Sequence, residues 1–550
     1  MSHAGANSAA ASAFSPNAAA RVGHVVSVSG AQAVAIVDKS PVLQRVEIGA
    51  TVTIPTPHAT VVGIVSAVSV PMPDAATGTE EINLIELNLA GEITTEPQNR
   101  RRIFRRGVTN LPTIGDGVVL ADREALTLCY SQPDSATIEV GALYQHADVP
   151  ARLLVDDLFG KHFLIVGTTG CGKSSALICI LRALLPEYRQ ARVVVLDIHG
   201  EYAAAFSAEA EAIDPSSLNL PFWLLNFHEL AAAFASTDEH RDAEMEILSD
   251  AVVWAKRRYS DSSSGRVRRA IEAQCITVDT PVPFRLADLI AYIDEQLGRL
   301  ERTLNTLPYK RLKSRIETLV SDSRYSFMFG SLMIEDTMAD VLGRLFRVPV
   351  GGKPITVLDL STVPGEIMDV VISVVSRLAF DLASWSESRL PILLVCEEAH
   401  RYAPADAGVH FMPTRQALSR IAKEGRKYGV SLALITQRPS ELDTTILSQC
   451  STVIAMRLST ERDQAVVRAN TNEGTLDLLD FLPLLGDREA IVLGQGSVMP
   501  MRIRFRDLTG TRTAQSRHAA FSYAWKHTEI SKEELANIVR RWRAPSKAKL

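Results

Sequence analysis

His162-Phe163-Leu164-Ile165-Val166-Gly167-Thr168-Thr169-Gly170-Cys171-Gly172-Lys173-Ser174 is the stretch on which the reading of this chain turns. Four apolar residues run into a glycine-rich loop, and Ser175 to Leu185 continue with helical composition until Pro186 stops them. Strand, loop and helix with G-x-x-x-x-G-K-S at the joint form the P-loop pattern. Glycines let the backbone curl so that its N–H groups point inward at phosphate oxygens. The helix N-terminus adds partial positive charge at the same place. Lys173 has the reach for the β- and γ-phosphates, and the Ser174 hydroxyl suits Mg²⁺. The stretch predicts a nucleoside triphosphate site.

Such a site needs acids as well. Ile392 to Cys396 is a second apolar run, and it ends in Glu397-Glu398. A buried strand ending there delivers one carboxylate towards the metal and a second towards a water in line with the γ-phosphate. Glu397 takes the metal role, through its water shell, and Glu398 the general-base role. Val193 to Leu196 ends in Asp197, which suits the metal's water shell and equally a turn-forming Asp. Gln437 follows the run Ser431 to Thr436 and is read as a γ-phosphate sensor, with a turn glutamine as the alternative. Arg426 stands at a helix end just before that strand. There a guanidinium stabilises a transferred phosphoryl group, or simply complements the helix C-terminus.

Around this centre the texture changes three times. Residues 1–20 are mostly Ala, Ser, Asn and Gly and read as a disordered tail. Residues 21–145 carry short, partly alternating β runs separated by Gly, Pro, Asp and Asn, the pattern of a small barrel ending near Ile138. Inside it Arg100-Arg-Arg-Ile-Phe-Arg-Arg106 is either a phosphate-facing patch or a charged barrel edge that discourages strand pairing. From 146 to 510 strands alternate with helices. Ile355 to Leu360, Ile392 to Cys396, Ser431 to Thr436 and Val453 to Arg457 imply a parallel sheet covered on both faces. A helical insertion is expected over about 230–346, where Leu286 to Leu297 and Leu312 to Leu319 show helical spacing. The remainder, 511–550, is read as a helical extension in which Ser531-Lys-Glu-Glu534 makes a capping box.

Composition narrows the classes. A net charge of −5 over 550 residues means that any nucleic acid must meet a local basic surface. Six scattered cysteines without a C-x-x-C pair argue for a reducing compartment and against a zinc site. No apolar run has the length of a membrane span, and no secretory signal is visible, so the expectation is a cytoplasmic protein.

Taken in order, Gly167 to Ser174, Asp197-Ile-His-Gly-Glu-Tyr202, Glu397-Glu-Ala-His-Arg-Tyr402, Glu424-Gly-Arg-Lys-Tyr-Gly429, Thr436-Gln-Arg-Pro-Ser-Glu-Leu-Asp443 and Ala490-Ile-Val-Leu-Gly494 resemble the HerA-type ATPases. These belong to the HerA/FtsK class of RecA-like motors. Arg106-Gly-Val with Pro112 and Gly115 is similar to the end of that family's N-terminal HAS-barrel. The resemblance implies a RecA-like core, ATP with Mg²⁺, and a homohexamer translocating double-stranded DNA. It implies that Lys173 and Ser174 contact phosphate and metal, that Glu398 is the catalytic glutamate, Gln437 the sensor and Arg426 the catalytic arginine. Two positions depart from the family pattern. Glu397 replaces the usual Asp, and Lys161 stands where an arginine finger often precedes the P-loop strand, without the planar fork of donors. The family's barrel docks a nuclease, and bacterial members resemble partners of nuclease or sirtuin-like effectors in anti-phage defence. The function expected is an ATP-driven DNA translocase working with a separate effector. The alternative is an ATP-switched ring scaffold with little processive movement.

Overall fold

In the barrel, β-branched residues alternate with polar ones, so each strand turns one face inward. β1 (Arg21–Ser29), β2 (Gln32–Val37), β3 (Thr51–Pro55), β4 (Thr60–Ser69), β5 (Asn83–Thr95), β6 (Arg102–Arg106) and β7 (Gly117–Leu120) lie in the order β2-β1-β7-β3-β4-β5-β6. An antiparallel β2–β5 pairing, Gln32 opposite Asn88 through Val37 opposite Asn83, closes the ring. Val25, Val52, Ile54, Val61, Val65, Ile85, Leu87 and Val118 fill its interior. Each such side chain contributes roughly 1.5–3 kcal/mol on burial.

β6 hangs on β5 outside the closed ring and carries the arginine run. Arg102 pairs with Glu124 at 3.0 Å, and Arg101 with Asp134 at 3.4 Å. Arg106 donates to the carbonyls of Gly494, Val498 and Ser497. Much of the run is thus engaged within the chain, and the strand has the charged edge that resists further pairing.

This computed structural model describes residues 21–38, 46–70, 83–97, 100–131, 134–214, 217, 220–236, 238–263, 276–300, 306–329, 334–363, 365–406, 412–471, 476–508 and 531–543. The tail expected at 1–20 and most of the 511–550 extension fall outside them. Two units are distinguishable: Met1–Leu158 with Val166–Gly172 and Ser451–Arg506, and Phe159–Ile165 with Lys173–Cys450 and Asp507–Leu550.

β8 (Thr137–Leu143), read from sequence as the end of the barrel, pairs instead with β9 (Pro150–Leu154). In the second unit, β10 (His162–Val166), β11 (Val193–Asp197), β12 (Ala210–Ile213), β13 (Ile355–Asp359), β14 (Ile392–Cys396) and β15 (Val430–Thr436) follow the order β12-β13-β11-β14-β15-β10. β11 runs parallel to β13 and β14, β12 to β13, and β14 to β15. Every residue of β10, β11, β14 and β15 is buried, which is why they read as unbroken apolar runs. β15 stands between β10 and β14, so the P-loop strand and the strand ending in Glu397-Glu398 are not neighbours in the sheet.

The insertion is helical, with Phe227–Phe234, Arg241–Ser263, Leu286–Leu300, Leu307–Ser321 and Met338–Leu345. A buried ion pair ties it to the helix Gly365–Trp385. Glu229, 1 % exposed, caps its own helix in a capping box with Asn226, and its carboxylate meets Arg377 at 3.0 Å and Ser373 Oγ at 3.0 Å.

The remaining strands, β16 (Cys450–Ala455), β17 (Glu489–Gly494) and β18 (Met501–Phe505), belong with β8 and β9 in the order β16-β17-β18-β8-β9. All these pairings are antiparallel. The parallel arrangement expected at Val453 to Arg457 does not extend to β17 and β18; between these two, residues 495–500 are too short for a parallel crossover. Near the end of the chain, Ser531 and Glu534 form the anticipated reciprocal cap, at 2.9 and 3.2 Å, on the helix Lys532–Arg543.

Candidate nucleotide site

β10 runs into the loop 167–172, and a helix begins at Lys173. Two glycines are dictated by geometry. A Cβ on Gly167 would lie 2.5 Å from Cys171 Sγ and 2.9 Å from Met456 Cβ, and Gly172 has φ +104°. The loop is also braced. Thr168 N donates to Arg457 O at 2.8 Å, and Arg488 N donates to Cys171 O at 3.1 Å. An Arg457–Asp487 ion pair at 3.1 Å joins the two braces. Arg488 holds a left-handed backbone (φ 65°) to make its contact.

From Ser174 a continuous line of polar contacts crosses the ends of the parallel strands. Ser174 Oγ donates to Glu201 Oε2 at 2.8 Å. Glu201 sits in the turn after β11, and Asp197 shapes that turn: Oδ1 accepts from Gly200 N (2.7 Å) and Glu201 N (3.2 Å), and Oδ2 from Tyr202 N (2.9 Å). Asp197 thus plays the turn-forming part that the sequence left open, and it also borders the acids. Glu397 Oε2 accepts from Ile198 N at 3.2 Å, and its carboxyl hydrogen-bonds Asp197. Burial, with the charges of Asp197 and Glu201 behind it, holds the Glu397 pKa well above the usual carboxylate range. Burial also raises Asp197, while its three N–H donors pull the other way.

Glu398, 7 % exposed, has a left-handed backbone with φ 47° and ψ 46°. For a non-glycine side chain this is a strained choice, and such strain gathers at sites where function over-determines the geometry. Its Oε2 is buried without a hydrogen-bond partner among the described residues, 3.3 Å from His400 Nδ1. His400 Nδ1 lies 2.9 Å from Thr436 Oγ1, at the end of β15.

Ser174 and Glu201, with Asp197, Glu397 and Glu398 behind them, offer oxygen donors of the kind a hard cation takes. Among the described residues no group of three or more His, Cys, Asp or Glu side chains would hold a metal by itself. Gln437, half-buried, follows Thr436 directly. Arg426 is exposed in the last turn of the helix Met412–Tyr428, and no partner for it occurs among the described residues. Lys161 is half-buried, immediately before β10. Glu201 and His400 were not singled out from sequence. The only signal for either was its place just after an apolar strand ending in an acid.

Residues 138–379 match the family model described as the helicase HerA central domain. The chain is 26 % identical to the DNA double-strand break repair helicase HerA of Pyrococcus furiosus over 72 % of its own length and 74 % of the other's. The chain is similar to the HerA-type ATPases over most of its length. The corresponding protein of Sulfolobus acidocaldarius is 28 % identical over 72 % of this chain and 74 % of that one. Among solved structures, VirB4 of Thermoanaerobacter pseudethanolicus aligns at 16 % identity with a TM-score of 0.48, covering 69 % of this chain and 99 % of that chain. With its P-loop, the acids at its strand ends and its largely parallel sheet it is a RecA-like P-loop ATPase, and its N-terminal strands close a barrel. No helix among the described residues is long and apolar enough to cross a membrane.

Proposed function

We propose that this chain is the subunit of a cytoplasmic homohexamer that hydrolyses ATP to move double-stranded DNA. We further propose that its barrel docks a separate nuclease or sirtuin-like effector, in DNA-end processing or anti-phage defence. The observation that carries the reading is the unbroken line from Ser174 through Glu201, Asp197, Glu397 and Glu398 to His400 and Thr436. It joins the start of the P-loop helix to the ends of three parallel strands. That similar proteins are DNA double-strand break repair helicases supports DNA as the polymer acted upon.

In this mechanism Gly167 to Ser175 cradle the phosphates through backbone N–H groups, and Lys173 neutralises the β- and γ-phosphates. Mg²⁺ would be held by Ser174 Oγ, with Glu397 and Glu201 acting through its water shell, and would screen the triphosphate charge. Glu398 takes a proton from the attacking water. Gln437, beside Thr436, orients that water or senses the γ-phosphate. Arg426, exposed and without a partner among the described residues, supplies a guanidinium in cis or to a neighbouring subunit, and Lys161 contributes positive charge from before β10.

The test is ATP turnover by the purified chain with and without duplex DNA, alongside Lys173→Ala and Glu398→Gln. Loss of turnover in both variants, with wild-type turnover rising strongly on duplex, is the expected result. Turnover that ignores DNA and rises with a partner protein would favour the switched scaffold. Hydrolysis surviving in Lys173→Ala would overturn the assignment of the site.

A further inference from the structure

We infer that His400 is a positioning residue for Glu398 that couples it to the tip of β15; this rests on the reading of Glu398 as general base. Three observations converge on one ring nitrogen. Nδ1 lies 2.9 Å from Thr436 Oγ1 and 3.3 Å from Glu398 Oε2. Oε2 is buried without a hydrogen-bond partner among the described residues. Thr436 Oγ1 also accepts the backbone N–H of Arg438 at 3.0 Å, so the same oxygen reads the backbone that follows Gln437.

Burial lowers the His400 pKa, which keeps the ring neutral with a single N–H. Two acceptor oxygens on the Nδ1 side favour the tautomer protonated there. The N–H is therefore aimed at Thr436 and passes close to Glu398 without closing a bond to it. Glu398 is steadied by the ring's positive edge yet keeps a free lone pair for the proton of the attacking water. A shift of the 436–438 backbone would swing the N–H on to Oε2 and occupy that lone pair. The position of the β15 tip, where Gln437 lies, thereby sets the readiness of the base.

The experiment measures kcat and KM for ATP in the full chain. His400→Ala should lower kcat by about tenfold or more, the scale of a mispositioned base, and leave KM within about twofold. His400→Asn places an amide N–H near the position of Nδ1 and should recover most of the loss. His400→Gln, similar in size but with its amide nearer the place of Nε2, should not. Thr436→Val should lower kcat comparably, and the Ala/Val double variant should be no worse than His400→Ala, because the two act as one unit. Unchanged kcat in His400→Ala, equal behaviour of Asn and Gln, or multiplicative losses in the double variant would each overturn the inference. Asn and Gln carry the test if Ala fails to fold. Glu398→Gln separates the two layers: if it retains activity the general-base reading falls, and if it is dead while His400→Ala is fully active only the coupling falls.

Discussion

Asp197→Ala should unravel the turn that brings Glu201 to Ser174. The carboxylate accepts three backbone N–H bonds, from Gly200, Glu201 and Tyr202, at 2.7, 3.2 and 2.9 Å. The Tyr202 bond is fully buried, and a lost hydrogen bond to a charged group there costs about 1.5–3 kcal/mol. The other two are partly reached by water, so about 1 kcal/mol each is appropriate. The gross loss is about 4 kcal/mol. Part is recovered, because burial already works against the Asp197 charge and its removal relieves Glu397. A net loss of about 2–3 kcal/mol follows, read as a fall in the urea midpoint at constant m-value. Glu201 would then drift from Ser174, and the apparent affinity for Mg²⁺-ATP should weaken in parallel. Asp197→Asn keeps one acceptor oxygen and should fall between the two proteins. An Ala variant as stable as wild type, with unchanged ATP affinity, would refute the idea that this carboxylate shapes the site.

Other perturbations address separate parts of the chain. Gly167→Ala would force a methyl to within 2.5 Å of Cys171 Sγ, so binding of a fluorescent ATP analogue should be lost while far-ultraviolet dichroism is retained. Arg377→Ala strands Glu229, 1 % exposed, without its cation, and should cost roughly 3–5 kcal/mol in denaturant unfolding. Lys256 tests a pH dependence. Its amine donates to Val278 O and Thr280 O, and burial brings its pKa down from 10.5 to about 8. Between these values the unfolded chain binds more protons than the folded one, so this group makes stability rise with pH from about 8 to about 10.5. At about 1.36 kcal/mol per unit the rise is at most about 3 kcal/mol. Unfolding measured across that window should lose this component in Lys256→Met, and parallel curves for the two proteins would refute it.

How much of this was legible in the sequence depends on whether a feature is carried by a run of residues or by a single one. β10, β11, β14 and β15 announce themselves because strands buried on both faces need unbroken apolar stretches, and the acids and the P-loop stand at their ends. Helical spacing likewise revealed the insertion at Leu286–Leu300 and Leu307–Ser321. Pairing order is another matter. Nothing local records that β15 intervenes between β10 and β14, or that β8 joins β18 and not the barrel, because both are choices among distant partners with equally apolar faces. Glu201, His400 and Arg488 escaped for a different reason. Each is a lone polar residue in a turn, where no periodicity exists to break.

Arg488 shares with Glu398 a feature that bears on how the site works. Glu398 and Arg488 are both non-glycine residues with left-handed backbones, φ 47° and φ 65°. Glycine would relieve each conformation, since a side chain there costs roughly 1–2 kcal/mol. At Glu398 the side chain itself is needed, so the strain is the consequence of presenting a carboxylate where the strand has already ended. At Arg488 the backbone is what makes contact, to Cys171 O on one side and, through its own carbonyl, to Phe505 N at 2.9 Å on the other. The P-loop is thereby held to β18 by a residue that has left the ordinary backbone region. Rigid, strained supports of this kind keep catalytic groups in place without a ligand. The motion that ATP drives is then expected in the parts with few such ties, and the exposed Arg426, with no partner among the described residues, is the first of them.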